Sequence, residues 1–237
     1  MRVELPSGSD RIEGWLELPQ EAGTHPGVVV IPDVRGLYEH YRDVARRLAD
    51  AGFAALAVNL YARGESPDTS DMQQVFRFMR ELPDRQVLGD LQAARDWLSE
   101  RPETRGRKLG ITGFCMGGKY TVLAACRCSG LAAAVAWYGM LSVGELDERN
   151  PEHPLDALAA LGCPLLGLFG KEDPIVPLAE VEALEQMAPE LPHPVEVVVY
   201  PGAGHAFAND SRPDAYRPDA AEDGWRRALG FLHLRLD

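Results

Sequence analysis

Six short apolar runs, each bounded by turn-forming residues, constrain this chain more than any other feature. They occupy residues 27–31, 54–60, 108–112, 131–137, 164–169 and 195–200. A run that is mainly apolar yet too short for a helix is the pattern of a strand covered on both faces. Between these runs, apolar residues recur at helical spacing. Tyr41, Val44, Ala45 and Leu48 form one such set, with Gly52 as its stop; Val87, Leu91, Ala94 and Leu98 form another. Val181, Leu184 and Met187, then Trp225, Ala228, Leu229 and Leu232, complete the series. Strands alternating with helices in this way predict an α/β chain with a mostly parallel central sheet and helices on both faces. The first strands differ. Residues 3–5 and 12–18 alternate apolar with polar, which predicts an antiparallel entry pair with its turn over 6–11. A shorter helix is expected over 71–81, stopped by Pro83, after a turn-like stretch over 65–70. Residues 141–154 read as an irregular segment placed to cover a site.

In an open parallel sheet, chemistry gathers at the carboxyl ends of the strands. Asp33 and Arg35 follow the 27–31 run, Tyr61 and Arg63 follow 54–60, and Tyr138 follows 131–137. Asp173 follows 164–169 and His205 follows 195–200. Cys115 stands after 108–112, inside Gly113-Phe114-Cys115-Met116-Gly117-Gly118. A nucleophile between glycines, on a sharp corner from strand to helix, is a nucleophile elbow, here carrying a thiol where the commoner form carries serine. A neutral thiol is a poor nucleophile. It needs a base to take its proton, and the base needs a carboxylate to fix its tautomer. Asp173 and His205 supply both, with Glu172 as an alternative acid and a helix cap as an alternative role for Asp173. His25, His40, His153, His193 and His233 read as solvated or packing residues.

Other classes fall away. A net charge of -12 leaves no basic surface for nucleic acid. No apolar run approaches the roughly 18 residues of a membrane span, and the first residues lack a leader pattern. Cys115, Cys126, Cys128 and Cys163 contain no C-x-x-C pair, so a zinc site is not expected and a reducing, cytoplasmic setting is. Residues 113–119 fit G-x-x-x-x-G-K, but Tyr120 stands where a phosphate loop needs Ser or Thr, and no dinucleotide fingerprint follows a first strand. No metal or cofactor is expected. At 237 residues, with no linker, repeat or low-complexity tract, a single domain over 1–237 is.

These residues together resemble the dienelactone hydrolases, or carboxymethylenebutenolidases, which have the α/β-hydrolase fold and a Cys-His-Asp triad. The resemblance spans nearly the whole chain. It rests on the elbow, Leu60-Tyr61-Ala62-Arg63, Asp173 after Gly170-Lys171-Glu172, Gly204-His205-Ala206-Phe207, and Tyr216-Arg217-Pro218-Asp219-Ala220-Ala221. It implies a hydrolase of a small, anionic lactone or ester, working through an acyl-thioenzyme as a monomer or small homo-oligomer. Cys115, Asp173 and His205 would form the triad, and the backbone N–H groups of Val34 and Met116 the oxyanion hole. Arg63 would grip the substrate carboxylate, with Tyr61, Arg35 and Tyr138 as further substrate-binding candidates. The family places Glu where this chain has Asp33, and that Glu helps activate the thiol; Asp33 is one methylene shorter. A second family arginine becomes Asn209 and a serine after the triad His becomes Ala206, leaving Arg35 or Arg212 to substitute. The alternative is a binding or regulatory protein that keeps the hydrolase fold without catalysis.

Overall fold

The computed structural model describes residues 1–64, 67, 68 and 71–237, so the turn expected over 65–70 lies partly outside the described residues. Eight strands form one sheet: β1 (Arg2–Ser7), β2 (Asp10–Glu17), β3 (Gly27–Ile31), β4 (Ala54–Val58), β5 (Leu109–Phe114), β6 (Ala133–Trp137), β7 (Leu165–Gly170) and β8 (Val195–Tyr200). Their order is β1-β2-β4-β3-β5-β6-β7-β8. The pairs β1–β2 and β2–β4 are antiparallel, and every later pair is parallel. The entry turn is tighter than the sequence suggests. Pro6 lies within β1 opposite Arg11, and the chain reverses between Ser7 and Asp10. β1 is the sheet edge, the place where a residue without a backbone N–H is tolerated.

Side-chain alternation along the buried strands sends neighbours to opposite layers. Val28 and Val30 pack toward α1 (Glu39–Asp50) and α7 (Pro218–Leu236), in a core with Tyr41, Trp225 and Phe231. Val29 and Ile31 pack toward α3 (Asp84–Glu100), α4 (Met116–Arg127) and α6 (Leu178–Met187), in a core with Leu91, Tyr120 and Leu184. The remaining helices are α2 (Met72–Glu81), capped by Asp71, and the short α5 (Pro154–Ala157). Residues 141–153 are irregular, as the sequence suggests. Among the described residues, no helix is long and apolar enough to cross a membrane.

The order β4-β3-β5 is the switch point of the sheet, since the chain leaves β3 toward one edge and returns on its other side at β5. A crevice opens outside the strand ends at such a point. The loop after β3 and the elbow after β5 flank it.

Candidate active site

Cys115 joins β5 directly to α4, with φ of 57° and ψ of -116°. Few residues other than glycine hold a positive φ, and here the neighbouring structure enforces it. The Cys115 amide is tied to Trp137 O at 3.0 Å and its carbonyl to Lys119 N at 3.1 Å. The glycines around it are sites of close approach. A Cβ on Gly113 would stand 2.2 Å from Gly117 O, and one on Gly117 would stand 2.2 Å from Ile31 O. The start of α4 therefore lies against the carboxyl end of β3. That contact brings the Met116 amide beside the loop carrying Asp33, Val34 and Arg35.

The loop is braced on both sides of Val34. Tyr61 Oη donates to Val34 O at 2.9 Å and approaches Met116 Sδ at 3.8 Å, while the Arg35 amide donates to Asp33 Oδ1 at 2.8 Å. The other Asp33 oxygen accepts from Tyr38 Oη at 3.4 Å, and Asn209 Nδ2 donates to that same hydroxyl at 2.9 Å. Asp33 forms no hydrogen bond with Cys115. Burial raises its pKa, against the lowering effect of the Arg35 amide and guanidinium. Asn209 thus ties the loop after β3 to the loop that carries His205.

His205 Nδ1 lies 2.8 Å from Asp173 Oδ2. The other Asp173 oxygen accepts from the amides of Ile175 at 2.8 Å and Val176 at 3.1 Å. No helix starts there, since α6 begins at Leu178 with Pro177 before it, so this oxygen braces a turn and does not cap a helix as the sequence alternative had it, while Glu172 is exposed. His205 Nε2 is buried and completes no hydrogen bond. Burial pulls the imidazolium pKa down, but the bond to Asp173 and the influence of Cys115 outweigh it and raise the value to about 10. An imidazolium at neutral pH is the counter-charge a thiolate nucleophile needs. Cys115 and His205 line one cavity of about 400 Å³, together with Asp33, Val34, Arg35 and Arg212.

The comparisons with known proteins agree with this fold. The model of the dienelactone hydrolase family matches residues 12–235. The chain belongs to the dienelactone hydrolase family. Among its relatives is a Yersinia pestis protein bearing the name carboxymethylenebutenolidase, 41% identical over 96% of this chain and 85% of its own length. A Bradyrhizobium relative, 35% identical over 99% of this chain and 94% of its own, is named a 2-oxo-3-(5-oxofuran-2-ylidene)propanoate lactonase. A Klebsiella pneumoniae crystal structure named as a dienelactone hydrolase superposes with a TM-score of 0.92, at 38% identity over 98% of both chains.

Family resemblance alone misplaces three side chains. Arg63 does not reach the Cys115 cavity. Its Nη2 donates to Asp90 Oδ1 at 2.6 Å and to Ser7 O at 3.3 Å, its Nε to Asp10 Oδ2 at 2.8 Å, and its Nη1 pairs with Asp90 Oδ2. The guanidinium is consumed in tying the β1–β2 hairpin to α3. Tyr61 lies behind Val34, and Tyr138 is fully buried at φ of 38°, its ring edge-on to His205 at 5.2 Å. Both support neighbours of the cavity from outside it. Of the four substrate-binding candidates, Arg35 alone lines the cavity. Replacing Arg63 with alanine leaves the nearly buried Asp90 without its cation, which costs roughly 2–3 kcal/mol. Thermal melting is therefore expected to fall by about 5–10 °C for a chain of this size, with KM for a carboxylated ester unchanged.

Sequence reasoning missed the wall that α2 contributes through Val75, Phe76 and Met79, and the bracing by Tyr38 and Asn209. A clue to the first is that α2 gathers Val75, Phe76, Phe78 and Met79 on one apolar stripe, which must face something. No local pattern marks the second, because the bond joins residues far apart in the chain. Lys119, which completes the false phosphate-loop match, is buried against Asp84 at 2.7 Å.

Proposed function

We propose that this protein hydrolyses a small carboxylic ester or lactone carrying a carboxylate, by nucleophilic catalysis at Cys115. The observation that carries the reading is the convergence of Cys115, on a strained elbow, and His205, held by Asp173, on one cavity. The Cys115 thiolate attacks the carbonyl carbon. Its oxygen gains negative charge and is met by the N–H groups of Val34 and Met116, which have no other acceptor among the described residues. Collapse of this intermediate breaks the ester C–O bond, and the departing oxygen takes the proton from the His205 imidazolium. In a lactone that oxygen remains tethered to the acyl group. Neutral His205 then takes a proton from water, the hydroxide attacks the thioester, and the sulfur leaves as thiolate beside the restored imidazolium.

The anionic part of the reading rests on Arg35 and Arg212. Arg35 lines the cavity and forms no ion pair among the described residues, while Arg212 meets only the exposed Asp214, at 3.2 Å. A carboxylate could use both guanidinium groups. Steady-state kinetics on matched esters, one carboxylated and one neutral, test this. Arg35→Ala is expected to raise KM for the carboxylated ester by roughly 10-fold and leave the neutral ester unchanged, in keeping with a charged hydrogen bond of about 1.5–3 kcal/mol. Equal effects on both esters would place the substrate anion elsewhere.

A further inference from the structure

A second cavity, of about 640 Å³, adjoins the one at Cys115, and Met79, Met140 and Ile175 line both. The rest of its wall includes the Met116 side chain and the irregular segment, through residues 142–147. It is larger than the cavity of about 400 Å³ in which the reaction is placed. The triad does not use it.

The two cavities differ in charge. At Cys115, Arg35, Arg212 and Arg217 outnumber Asp33 and Asp214. In the second cavity, Arg80 and Lys119 are matched by Glu145 and Asp147, and Lys119 Nζ is already committed to Asp84 at 2.7 Å and Asn150 at 2.8 Å. With Lys119 so paired, Arg80 alone stands against Glu145 and Asp147, so the wall carries no excess of positive charge for a second anion. The polar floor is buried: Lys119 is 3% exposed, and the Tyr120 hydroxyl lies near Asp84 without completing a hydrogen bond. The rim sets Leu146 and Ile175 among the exposed Gly144, Glu145 and Asp147. Of the five large apolar side chains that stand out as exposed among the described residues, Phe76, Leu146 and Ile175 line these two cavities; the other two are Met1 and Leu234. Exposed apolar side chains gathered at connected cavities mark a binding surface. Met79 and Met140 in the shared wall suit such a surface, because an unbranched thioether chain adapts to varied shapes.

We propose that the second cavity is a substrate subsite, which takes the uncharged, mainly apolar substituent of an elongated ester or lactone whose reacting carbonyl lies at Cys115. The proposal rests on the hydrolase reading above for what lies at Cys115. It makes the preferred substrate longer than a bare unsaturated lactone ring, anionic at one end and neutral at the other.

Binding, measured apart from turnover, tests it. In a Cys115→Ala protein, the affinities of 4-nitrophenyl acetate and 4-nitrophenyl octanoate are compared by calorimetric titration. The octanoate is expected to bind at least 10-fold more tightly. Val143 lines the second cavity alone, so adding Val143→Trp is expected to abolish that ratio and leave acetate affinity unchanged. Leu146→Asp, at an exposed position on the rim, is expected to reduce the ratio by setting a charge where the apolar chain would lie, and covers the case in which the tryptophan variant does not fold. Equal binding of the two esters, or a ratio that persists in the folded Val143→Trp or Leu146→Asp protein, would overturn the subsite. Release of 4-nitrophenol from the acetate by the unaltered protein is the separate readout of hydrolysis. Its absence would defeat the hydrolase reading while the binding ratio still decided the subsite.

Discussion

Cys115→Ala is expected to reduce kcat/KM for ester or lactone hydrolysis by roughly 10⁴-fold or more, while the fold and substrate affinity stay intact. The size follows from the unit character of a triad, in which loss of the nucleophile removes the covalent route altogether and leaves only oxyanion stabilisation and binding. The fold survives because the side chain is not a core element. Cys115 is partly exposed on the cavity wall, and its backbone position is fixed by the Trp137 and Lys119 bonds that alanine also makes. Alanine at φ of 57° meets the same constraint as cysteine, so little stability is lost. Burst kinetics with a 4-nitrophenyl ester give the sharper check. The unaltered protein is expected to release up to one equivalent rapidly where deacylation is the slower step, and Cys115→Ala none. Undiminished turnover by the alanine variant would remove Cys115 from the mechanism.

Much of this architecture is legible in the sequence because burial on both faces leaves a strand no choice but apolar residues. The run Val28-Val29-Val30-Ile31 is buried throughout, and so is Val135 between its alanine neighbours in β6. The elbow was readable for a different reason. Gly113 and Gly117 are there because backbone oxygens occupy the space of their missing side chains, and such collisions leave a permanent mark on composition. The start of α4 was less clear, since Gly117 and Gly118 are poor helix formers and the sequence places the helical run from 120 onward. Tertiary contact overrides that propensity. Pro6 misled in the opposite direction, looking like a turn residue while sitting in an edge strand. The destinations of long side chains were the least readable of all. Arg63 and Arg35 stand at equivalent strand ends, yet Asp10 and Asp90 capture one guanidinium and the other forms no ion pair among the described residues. Charge partners that lie far apart in the chain decide this, and spacing carries no record of them.

Asp173→Asn is expected to cost about 10³–10⁴-fold in kcat and to move the alkaline limb of the pH profile to lower pH. Asp173 Oδ2 accepts the Nδ1–H of His205 and so aims Nε2 toward the thiol side of the ring. An amide in its place can donate from Nδ2, which favours the tautomer with the proton on the wrong nitrogen. The pH shift follows from the sign of the His205 displacement. Its pKa is raised from the usual 6.5 to about 10, so the imidazolium persists through neutral pH and the proton needed by the leaving oxygen is lost only as pH climbs through about 10. Two contributions oppose burial there, the bond to Asp173 and the effect of Cys115; removing the first leaves burial less opposed. The alkaline limb of kcat/KM in Asp173→Asn should therefore fall at least one pH unit below that of the unaltered protein. The turn bonds to the Ile175 and Val176 amides survive, since the remaining side-chain oxygen can accept both. Melting should accordingly shift by only a few degrees. A large loss of rate with an unmoved limb would mean that Asp173 orients His205 without sustaining its charge. A large fall in melting temperature would instead make bracing of the turn over 173–176 its principal role.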